Sequence, residues 1–281
     1  MKIALTGGSG KLGRVAVDSL RASGHEVWNL DRAGERDPGF IQTDLTDYGQ
    51  VIDALGGVDD RYDGIDAVVH LGAIPAPGLA PDSATFRNNM LSTYSVFEAS
   101  RKLGINRIVY ASSETVLGLP FDNDPPYIPV DEVYEARPES TYSLVKHLEE
   151  QMARQLCRWN PELSISALRF SNVMVPADYA QFPSFDADAR ARKWNLWGYI
   201  DARDGAQAIE KALLTARPGF EAYIIAAADT VMSRSSVSLA EEVFPDVRVI
   251  KELGEHETML SIGKARRLLG YEPQYSWRHE A

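Results

Sequence analysis

Tyr142 and Lys146 are the residues of this chain whose types and spacing most directly suggest chemistry. They stand one helical turn apart in Tyr142-Ser-Leu-Val-Lys146, so in a helix their side chains share one face. An ammonium group beside a phenol stabilises the phenolate and lowers the tyrosine pKa, which makes the tyrosine a usable acid or base near neutral pH. On an exposed face, the same spacing gives only a solvated pair.

A glycine-rich turn near the N-terminus is the second such feature. Thr6-Gly-Gly-Ser-Gly-Lys-Leu-Gly13 follows a short apolar segment and opens a stretch with helical periodicity. Glycines let the backbone turn tightly and approach a pyrophosphate, and the free amides of the helix start attract phosphate. The alternative is a purely structural turn. The cofactor-binding residues predicted in this turn are Gly7, Gly10, Lys11, Leu12 and Gly13.

Acidic residues end the next two predicted strands. Asp31 is placed to accept hydrogen bonds from the adenosine ribose hydroxyls, which favours NAD because the 2′-phosphate of NADP would meet a carboxylate. Arg32 directly after it keeps NADP as the less favoured alternative. Asp44 either reaches the adenine amino group or caps the helix that follows. Because the glycine turn lies between a strand and a helix and an acid follows, the first half is predicted to bind a dinucleotide.

The elements that would position these residues alternate along the chain. Predicted strands cover residues 2–6, 25–30, 40–43, 67–71, 107–112 and 164–170, and predicted helices cover 11–23, 47–56, 84–103 and 140–158. This alternation predicts an α/β fold, a doubly wound parallel sheet of the Rossmann type with helices on both faces. The carboxyl ends of its strands would bring the glycine turn and Tyr142 to one edge.

Composition limits the classes of function. The 281 residues are 44% hydrophobic and 25% charged, with a formal net charge of -11, which argues against nucleic acid or an anionic membrane as a partner. A single cysteine, Cys157, suits a reducing compartment. Met1-Lys-Ile-Ala-Leu-Thr shows no secretory signal, and no apolar run approaches the roughly 18 residues of a membrane span. We therefore expect a cytoplasmic protein, and no residue cluster predicts a metal site.

Further motifs complete a recognisable order. They are His70-Leu71-Gly72-Ala73, Asn89 with Thr93, Ser112-Ser113-Glu-Thr-Val-Leu-Gly118, Arg169-Phe-Ser-Asn172-Val, Tyr199-Ile-Asp-Ala-Arg-Asp204, and the tail from Ser261 to Tyr271. With the glycine turn and the Tyr/Lys pair, they make the chain resemble the extended short-chain dehydrogenase/reductase superfamily, in its NAD-dependent epimerase/dehydratase branch. The resemblance spans nearly the whole chain. We interpret His70 itself as a strand-end histidine held by hydrogen bonds.

The resemblance implies a catalytic triad of Ser113, Tyr142 and Lys146. Tyr142 would exchange a proton with the substrate oxygen, Ser113 would hydrogen-bond that oxygen, and Lys146 would bind the nicotinamide ribose and hold Tyr142 near its working pKa. Ser112 is assigned to packing or a cofactor contact. The cofactor contacts expected outside the glycine turn are Asp31, Arg32, Asp44, Leu45, Leu71, Gly72, Ala73, Asn89, Ala111, Tyr142 and Lys146.

The second half is predicted to form a small C-terminal substrate-binding cap. Residues 1–172 would be the NAD-binding domain and 173–281 the cap, with segments around 198–227 returning to the core. The Pro- and aromatic-rich stretch 173–195 is interpreted as a binding loop, the alternative being a surface connection. Its basic cluster 190–194 either receives a carboxylate or phosphate of the substrate or forms a solvated charged face. Later elements are predicted at 203–216, 221–226, 237–243, 247–251 and 261–269. The predicted substrate-binding residues are Ser113, Glu114, Asn172 and Arg192.

The length of the cap bears on the substrate. Superfamily enzymes that act on nucleotide-linked sugars commonly have a longer segment between the positions of Asn172 and Tyr199, so a small free sugar, sugar acid or polyol is expected here. The compact build is similar to that of uronate dehydrogenases. Glu114, Pro75 and Asn172 nevertheless stand where that group has asparagine, serine and serine, and Glu114 would repel a carboxylate substrate unless it is turned away or protonated.

Three functions therefore compete. The first is an NAD-dependent dehydrogenase acting on a small sugar-like substrate, and the second is a nucleotide-sugar epimerase or dehydratase with tightly bound NAD. The third is a non-catalytic dinucleotide-sensing protein, which the intact Ser113, Tyr142 and Lys146 argue against. The resemblance also implies a homodimer through helices 84–103 and 140–158.

Overall fold

A parallel sheet forms the centre of the molecule in the computed structural model, which describes residues 1–279. Within those residues the sheet has seven strands, in the spatial order β10 (Gly219–Ile225), β7 (Ser164–Phe170), β5 (Arg107–Ser113), β4 (Ala67–His70), β1 (Lys2–Thr6), β2 (Glu26–Asp31) and β3 (Phe40–Gln42). Neighbouring strands pair in parallel throughout. The structure confirms the predicted α/β fold with a doubly wound parallel sheet.

Helices cover both faces of this sheet. They are α1 (Lys11–Ala22), α2 (Tyr48–Gly56), α3 (Asp82–Lys102), α4 (Thr141–Trp159), α5 (Ala202–Leu214), α6 (Ser236–Val243) and α7 (Gly263–Leu269). Ile3 and Leu5 of β1 pack into the core beneath α1 and α5, whereas Ala4 faces the core beneath α2, α3 and α4. Because successive strand residues point to opposite faces and both faces are covered, the strands are apolar along their length.

The order of the strands defines the place where a ligand binds. From β1 the chain moves outward to β2 and β3, whereas from β4 it moves the other way to β5, β7 and β10. The carboxyl ends of β1 and β4 therefore border the crevice at which the sheet changes direction, which is where open α/β sheets bind their ligands.

The second half of the chain supplies elements of the central sheet layer as well as elements outside it. β10 pairs with β7, and α5 packs against α1. Residues 176–195 form 3-10 helical segments where an irregular loop was predicted. Short strand pairs form outside the central sheet, β8 (Val173–Met174) with β9 (Ile200–Asp201) and β6 (Tyr127–Ile128) with β11 (Arg248–Val249).

Strand β11 is shorter than the predicted strand 247–251, and it does not join the central sheet. Both of its residues are exposed, so no apolar face extends the pairing. Across residues 1–279, no helix is both long enough and apolar enough to span a membrane.

Candidate active site

A cavity of about 990 Å³ runs along the carboxyl edge of the sheet. One end lies at the glycine turn and the other at Ser113 and Tyr142; we call them the cofactor end and the substrate end. The cavity is lined by most of the residues predicted to bind cofactor: Gly7, Gly10, Lys11, Leu12, Gly13, Asp31, Arg32, Asp44, Leu45, Leu71, Gly72, Ala73, Ala111 and Tyr142. Ser113, Glu114 and Asn172, predicted to bind substrate, also line it.

The glycine turn is shaped as a cradle for a phosphate group. Gly7 has φ +74, and a Cβ there would lie 2.6 Å from the backbone nitrogen of Gly72. A Cβ on Gly13 would lie 2.1 Å from the carbonyl oxygen of Gly7. Gly10 caps α1 without a side-chain hydrogen bond, so the first amides of the helix remain available to a ligand. These observations fit the pyrophosphate of a dinucleotide.

Asp31 and Arg32 stand side by side at the end of β2. The Asp31 carboxylate accepts hydrogen bonds from the backbone nitrogens of Ser9 at 3.1 Å and Arg32 at 2.7 Å. The Arg32 guanidinium turns toward α3 and donates to Asn88 Oδ1 at 2.9 Å. The carboxylate is thereby fixed at the cavity wall, in the position expected for an acceptor of ribose hydroxyls.

Asp44 does not cap the following helix. Its Oδ1 accepts hydrogen bonds from the backbone and the hydroxyl of Thr46 at 3.0 and 2.8 Å, which lower the pKa of Asp44. Asp47 is the residue that caps α2, through Gly49 and Gln50. Of the two roles predicted for Asp44, helix capping is therefore wrong, and Asp44 lines the cavity instead.

Ser113 ends β5 and points its hydroxyl group at the substrate end. Its Oγ accepts hydrogen bonds from the nitrogen and the hydroxyl of Thr115, at 3.1 and 3.0 Å. Because these donors occupy the acceptor sites of the oxygen, the hydroxyl proton of Ser113 is left to donate to another group. Ser112 packs differently, since its hydroxyl donates to Glu150 Oε1 at 2.7 Å.

Tyr142 lies in the first turn of α4, which begins at Ser140 with a capping box completed by Ser143. The phenol is 6% exposed and lines the cavity. The pKa of Tyr142 is raised above its ordinary value, because burial outweighs the lowering by the Lys146 charge and by a hydrogen bond from Ser113. The Lys146 ammonium lies 5.9 Å from the centre of the Tyr142 ring. Spacing on one helix face thus brings the two side chains together as predicted.

Lys146 lies behind the cavity wall rather than in it. It is 2% exposed, and its Nζ donates to the carbonyl oxygen of Ala111 at 2.8 Å and to Glu149 Oε2 at 2.9 Å. Burial alone would lower the pKa of Lys146, but the adjacent charge of Glu149 raises it, so the lysine is a cation at neutral pH. The predicted contact of Lys146 to the nicotinamide ribose stays a prediction; within the protein, the charge of Lys146 acts on the Tyr142 phenol.

Glu149 also ends a buried chain of hydrogen bonds that the sequence motifs did not predict. Its Oε1 accepts from the Thr93 hydroxyl at 2.8 Å, and Thr93 Oγ1 lies 3.0 Å from His70 Nε2. His70 Nδ1 in turn lies 2.7 Å from Thr6 Oγ1. Burial lowers the pKa of His70 to about 3, so the imidazole is neutral and acts as the structural histidine that we expected. The feature of the sequence that could have indicated this chain of hydrogen bonds is Glu149, which stands one helical turn after Lys146.

A second buried acid, Glu150, holds β5 and β7 beneath the site. It accepts two hydrogen bonds from Arg169, at 2.9 and 2.7 Å, besides the one from Ser112. Burial opposes ionisation, but the hydrogen bonds and charge of Arg169 hold the pKa of Glu150 below its ordinary value. This bidentate pair fixes the strand ends that carry Ser113 and Ser171.

Asn89 and Arg192 are the other predicted site residues that do not line the cavity. The buried Asn89 amide pairs with the backbone of Ile74, accepting at 2.8 Å and donating at 3.0 Å. These hydrogen bonds shape the lining segment after β4. Arg192 donates to the Gly198 carbonyl at 3.0 Å, and its guanidinium lies 4.8 Å from the centre of the Trp194 ring. Contacts within the protein engage both side chains, and their predicted contacts to cofactor and substrate stay predictions.

Glu114 lines the substrate end and is 3% exposed. Its Oε2 accepts a hydrogen bond from the Ser171 hydroxyl at 2.6 Å, and its Oε1 accepts one from Asn195 Nδ2 at 3.2 Å. Burial raises the pKa of Glu114 to about 7, although these hydrogen bonds and the charge of Arg192 act in the opposite direction. The cavity therefore has an acid at its substrate end that titrates near neutral pH.

Comparison with known proteins places this site in a family. A profile of the NAD dependent epimerase/dehydratase family matches residues 3–226. UDP-glucose 4-epimerase of Bacillus subtilis (strain 168) is 29% identical over 188 residues, which are 61% of this chain and 52% of that protein.

Two sugar dehydrogenases are also similar. Uronate dehydrogenase of Pseudomonas syringae pv. tomato is 28% identical over 152 residues, covering 54% of this chain and 52% of that protein. L-arabinose 1-dehydrogenase (NAD(P)(+)) of Haloferax volcanii is 37% identical over 115 residues, covering 41% and 42%. The matched part spans about half the length, or less, of these curated relatives.

Solved structures agree on the fold. A short-chain dehydrogenase/reductase superfamily protein from Agrobacterium tumefaciens with bound NAD has a TM-score of 0.75 at 22% identity, covering 100% of this chain and 94% of that one. A UDP-galactose 4-epimerase has a TM-score of 0.72 at 25% identity, covering 100% and 96%. The matches confirm the resemblance seen in the motifs and support NAD as the predicted cofactor. The chain belongs to the NAD dependent epimerase/dehydratase family.

Proposed function

We propose that this protein is an NAD-dependent dehydrogenase that oxidises or reduces a small sugar-like molecule, with Tyr142 as the acid/base. The observation that carries the proposal is the meeting of Ser113 and Tyr142 at one end of a cavity whose other end has the form of a dinucleotide cradle. The short segment between Asn172 and Tyr199 supports a free sugar, a sugar acid or a polyol over a nucleotide-linked one.

The cofactor would lie along the row of residues from the glycine turn to Tyr142. The amides at the start of α1 would hold the pyrophosphate, and Asp31 would accept hydrogen bonds from the adenosine ribose. The chemistry that NAD supplies when bound is acceptance of a hydride from the carbinol carbon. Gly72 and Ala73, which have small or absent side chains, leave room for the dinucleotide to pass close to the backbone.

The chain itself handles the proton. In the oxidative direction, the Tyr142 phenolate takes the proton of the substrate hydroxyl while the carbon–oxygen bond becomes a carbonyl. Ser113 donates a hydrogen bond to the same oxygen and stabilises the charge that develops there. The Lys146 cation stabilises the phenolate from behind the wall, opposing the rise in the tyrosine pKa that burial causes. In the reverse direction Tyr142 returns the proton.

The second candidate is epimerisation or dehydration of a nucleotide sugar with retained NAD. The observation in its favour is the similarity to UDP-glucose 4-epimerases. The two functions differ in their net electron balance, because an epimerase or dehydratase returns the hydride and accumulates no NADH. A dinucleotide-sensing protein without catalysis is disfavoured, since Ser113, Tyr142 and Lys146 are all present and close together.

The experiment that separates these functions is a screen for NADH formation over free sugars, uronates, polyols and nucleotide sugars, with Tyr142→Phe as the control. The proposal expects NADH with a free sugar, a uronate or a polyol, and a rate at least about a hundredfold lower in Tyr142→Phe. Conversion of a nucleotide sugar without net NADH would establish the second candidate instead. Equal behaviour of the two proteins across the whole screen would favour the sensor.

We also propose a homodimer formed through α3 and α4. These helices pack against each other, and they carry large apolar side chains that are at least 40% exposed: Phe86, Leu91, Tyr94 and Leu144. Pairing the two helices with a second copy would bury these side chains. Sedimentation equilibrium at micromolar concentration should give the dimer mass, and a monomer at that concentration would contradict the proposal.

A further inference from the structure

The charges around the cavity are distributed unequally between its two ends. Among residues 1–279, the cations that line it are Lys11 and Arg32, and both lie at the cofactor end. Lys11 is paired with Asp178 at 2.9 Å, and Arg32 is next to Asp31. The charged residues that line the substrate end are the acids Glu114 and Glu139.

We infer that the substrate is an uncharged sugar or polyol, and that Glu114 is the residue that excludes uronates and other anions from the substrate end. This inference rests on the proposed function, since it narrows the substrate of the same site.

The Glu114 carboxylate is held in place at the substrate end, which Glu114 lines. Glu114 follows Ser113 directly, so its carboxylate belongs to the same turn as the hydroxyl group predicted to contact the reacting oxygen. Ser171 holds one carboxylate oxygen at 2.6 Å and Asn195 holds the other at 3.2 Å. Three elements thus clamp the group: the turn after β5, the end of β7 and the 3-10 segment Ala189–Asn195.

The hydrogen-bonding capacity of this carboxylate suits a hydroxyl group. A carboxylate has about four acceptor sites. The Ser171 hydroxyl, the Asn195 amide and the backbone N–H of Asn172 use three of them, which leaves room for one donor from the cavity. A sugar hydroxyl is such a donor, and a hydrogen bond to an ionised acceptor is stronger than one between neutral groups. A substrate carboxylate has no proton to donate.

No lining cation compensates a second negative charge at this end, among the residues that the structure describes. Glu139 is exposed and pairs with Arg137 at 3.1 Å, so the positive charge of Arg137 largely balances the negative charge of Glu139. Arg192 interacts with Glu114 but does not line the cavity, whereas Trp194, over which its guanidinium is stacked, does. The wall that an incoming anion meets at this end therefore includes Glu114 and an indole ring but no lining cation. Two close carboxylates cannot both remain ionised without a large cost.

The charge of Glu114 also makes the selectivity depend on pH. Burial raises its pKa to about 7, so the group is mostly neutral in mild acid and anionic in mild base. The titratable and charged groups facing it are Arg192 of the 3-10 segment and Tyr142 of α4, while β7 contributes the uncharged Ser171. Discrimination against anions should therefore grow as pH rises through 7.

The test compares matched substrate pairs that differ only at one carbon. NADH formation is measured with glucose and glucuronate, and with galactose and galacturonate, and the selectivity is the ratio of kcat/KM for the neutral sugar to that for the uronate. The wild type should prefer the neutral sugar by roughly tenfold or more at pH 8, with a smaller ratio at pH 6. Glu114→Gln should reduce the ratio at pH 8 by roughly tenfold and remove its pH dependence.

Glu135→Gln is the matched control, because it removes the same charge from an exposed position that does not line the cavity. It should leave the selectivity ratio at the wild-type value. Should Glu114→Gln fail to fold, the pH series of the wild type still tests the inference. A wild type that prefers uronates, or a ratio that does not change with pH, would overturn the inference while leaving the dehydrogenase intact. Nucleotide-sugar conversion without net NADH would overturn both.

Discussion

The cofactor end of the cavity is built largely from backbone, whereas the substrate end is built from side chains that buried charges hold in place. Gly7, Gly13 and Gly72 shape the cofactor end. Because they have no side chain, neighbouring atoms can lie close to their backbone. The second depends on Glu114, on the Glu150–Arg169 pair and on the 3-10 segment Ala189–Asn195. One end is specified by a short motif, and the other by contacts between residues far apart in the chain.

This difference separates what the sequence could predict from what it could not. The glycine turn and Asp31 are local features, and strand–helix alternation sufficed to place them at one edge of the sheet. Spacing alone likewise put Tyr142 and Lys146 on one face of α4. These predictions needed no knowledge of tertiary contacts.

The substrate end could not be predicted in the same way. That Arg192 stacks on Trp194 instead of reaching the cavity depends on how residues 176–195 coil into 3-10 segments. That Glu149 pairs with Lys146 depends on the burial of that helix face. Asp47 rather than Asp44 caps α2 because the helix starts later than the acid that ends the β3 region. The first two outcomes depend on packing and burial, and the third on the residue at which a helix starts, none of which the local patterns determine.

The largest expected effect separates chemistry from cofactor binding. Tyr142→Phe removes the phenol that exchanges the proton, so the rate should fall by at least about a hundredfold. Affinity for NAD, measured by quenching of tryptophan fluorescence or by calorimetry, should stay within about threefold, because the glycine cradle is untouched. A rate within about fivefold of the wild type would remove Tyr142 from its role as the acid/base.

The next effect tests the buried charges beneath the substrate end. Glu150→Ala leaves the Arg169 guanidinium buried without its partner, so the free energy of unfolding should fall by about 3 kcal/mol. Glu139→Ala, which breaks the exposed pair with Arg137, is the control and should cost less than about 1 kcal/mol. Urea denaturation measures both. Equal losses of unfolding free energy in the two variants would show that the Glu150–Arg169 pair stabilises the fold no more than an exposed pair does.

Glu114 should make stability depend on pH in a direction opposite to that of most carboxylates. Its pKa is about 7 in the folded protein and near 4.5 when unfolded, so the folded state holds the proton more tightly. The resulting stabilisation is present below pH 4.5 and is lost as pH rises through 7. Between pH 5 and 8, the wild type should lose on the order of 2 kcal/mol relative to Glu114→Gln, measured by urea denaturation. If the free energy of unfolding changed with pH in the same way in both proteins, Glu114 would not be the source of the pH dependence.

The smallest of these effects concerns the backbone cradle. Gly13→Ala would place Cβ 2.1 Å from the Gly7 carbonyl oxygen, so the turn must shift and NAD affinity should fall by roughly tenfold. Gly56→Ala is the control, because its nearest neighbour would be 3.9 Å away, and it should leave NAD affinity unchanged. Calorimetric titration with NAD measures both variants. An unaltered affinity in Gly13→Ala would mean that the turn does not hold the pyrophosphate.

Net hydride transfer is tested by the stoichiometry of the reaction, measured as NADH formed per sugar molecule consumed. The wild type is incubated with excess NAD and the free sugar that gives the highest rate, and both quantities are followed to completion. Net hydride transfer with Tyr142 as the base predicts one NADH for each sugar oxidised. Conversion of a sugar or a nucleotide sugar with no accumulated NADH would contradict net hydride transfer to NAD.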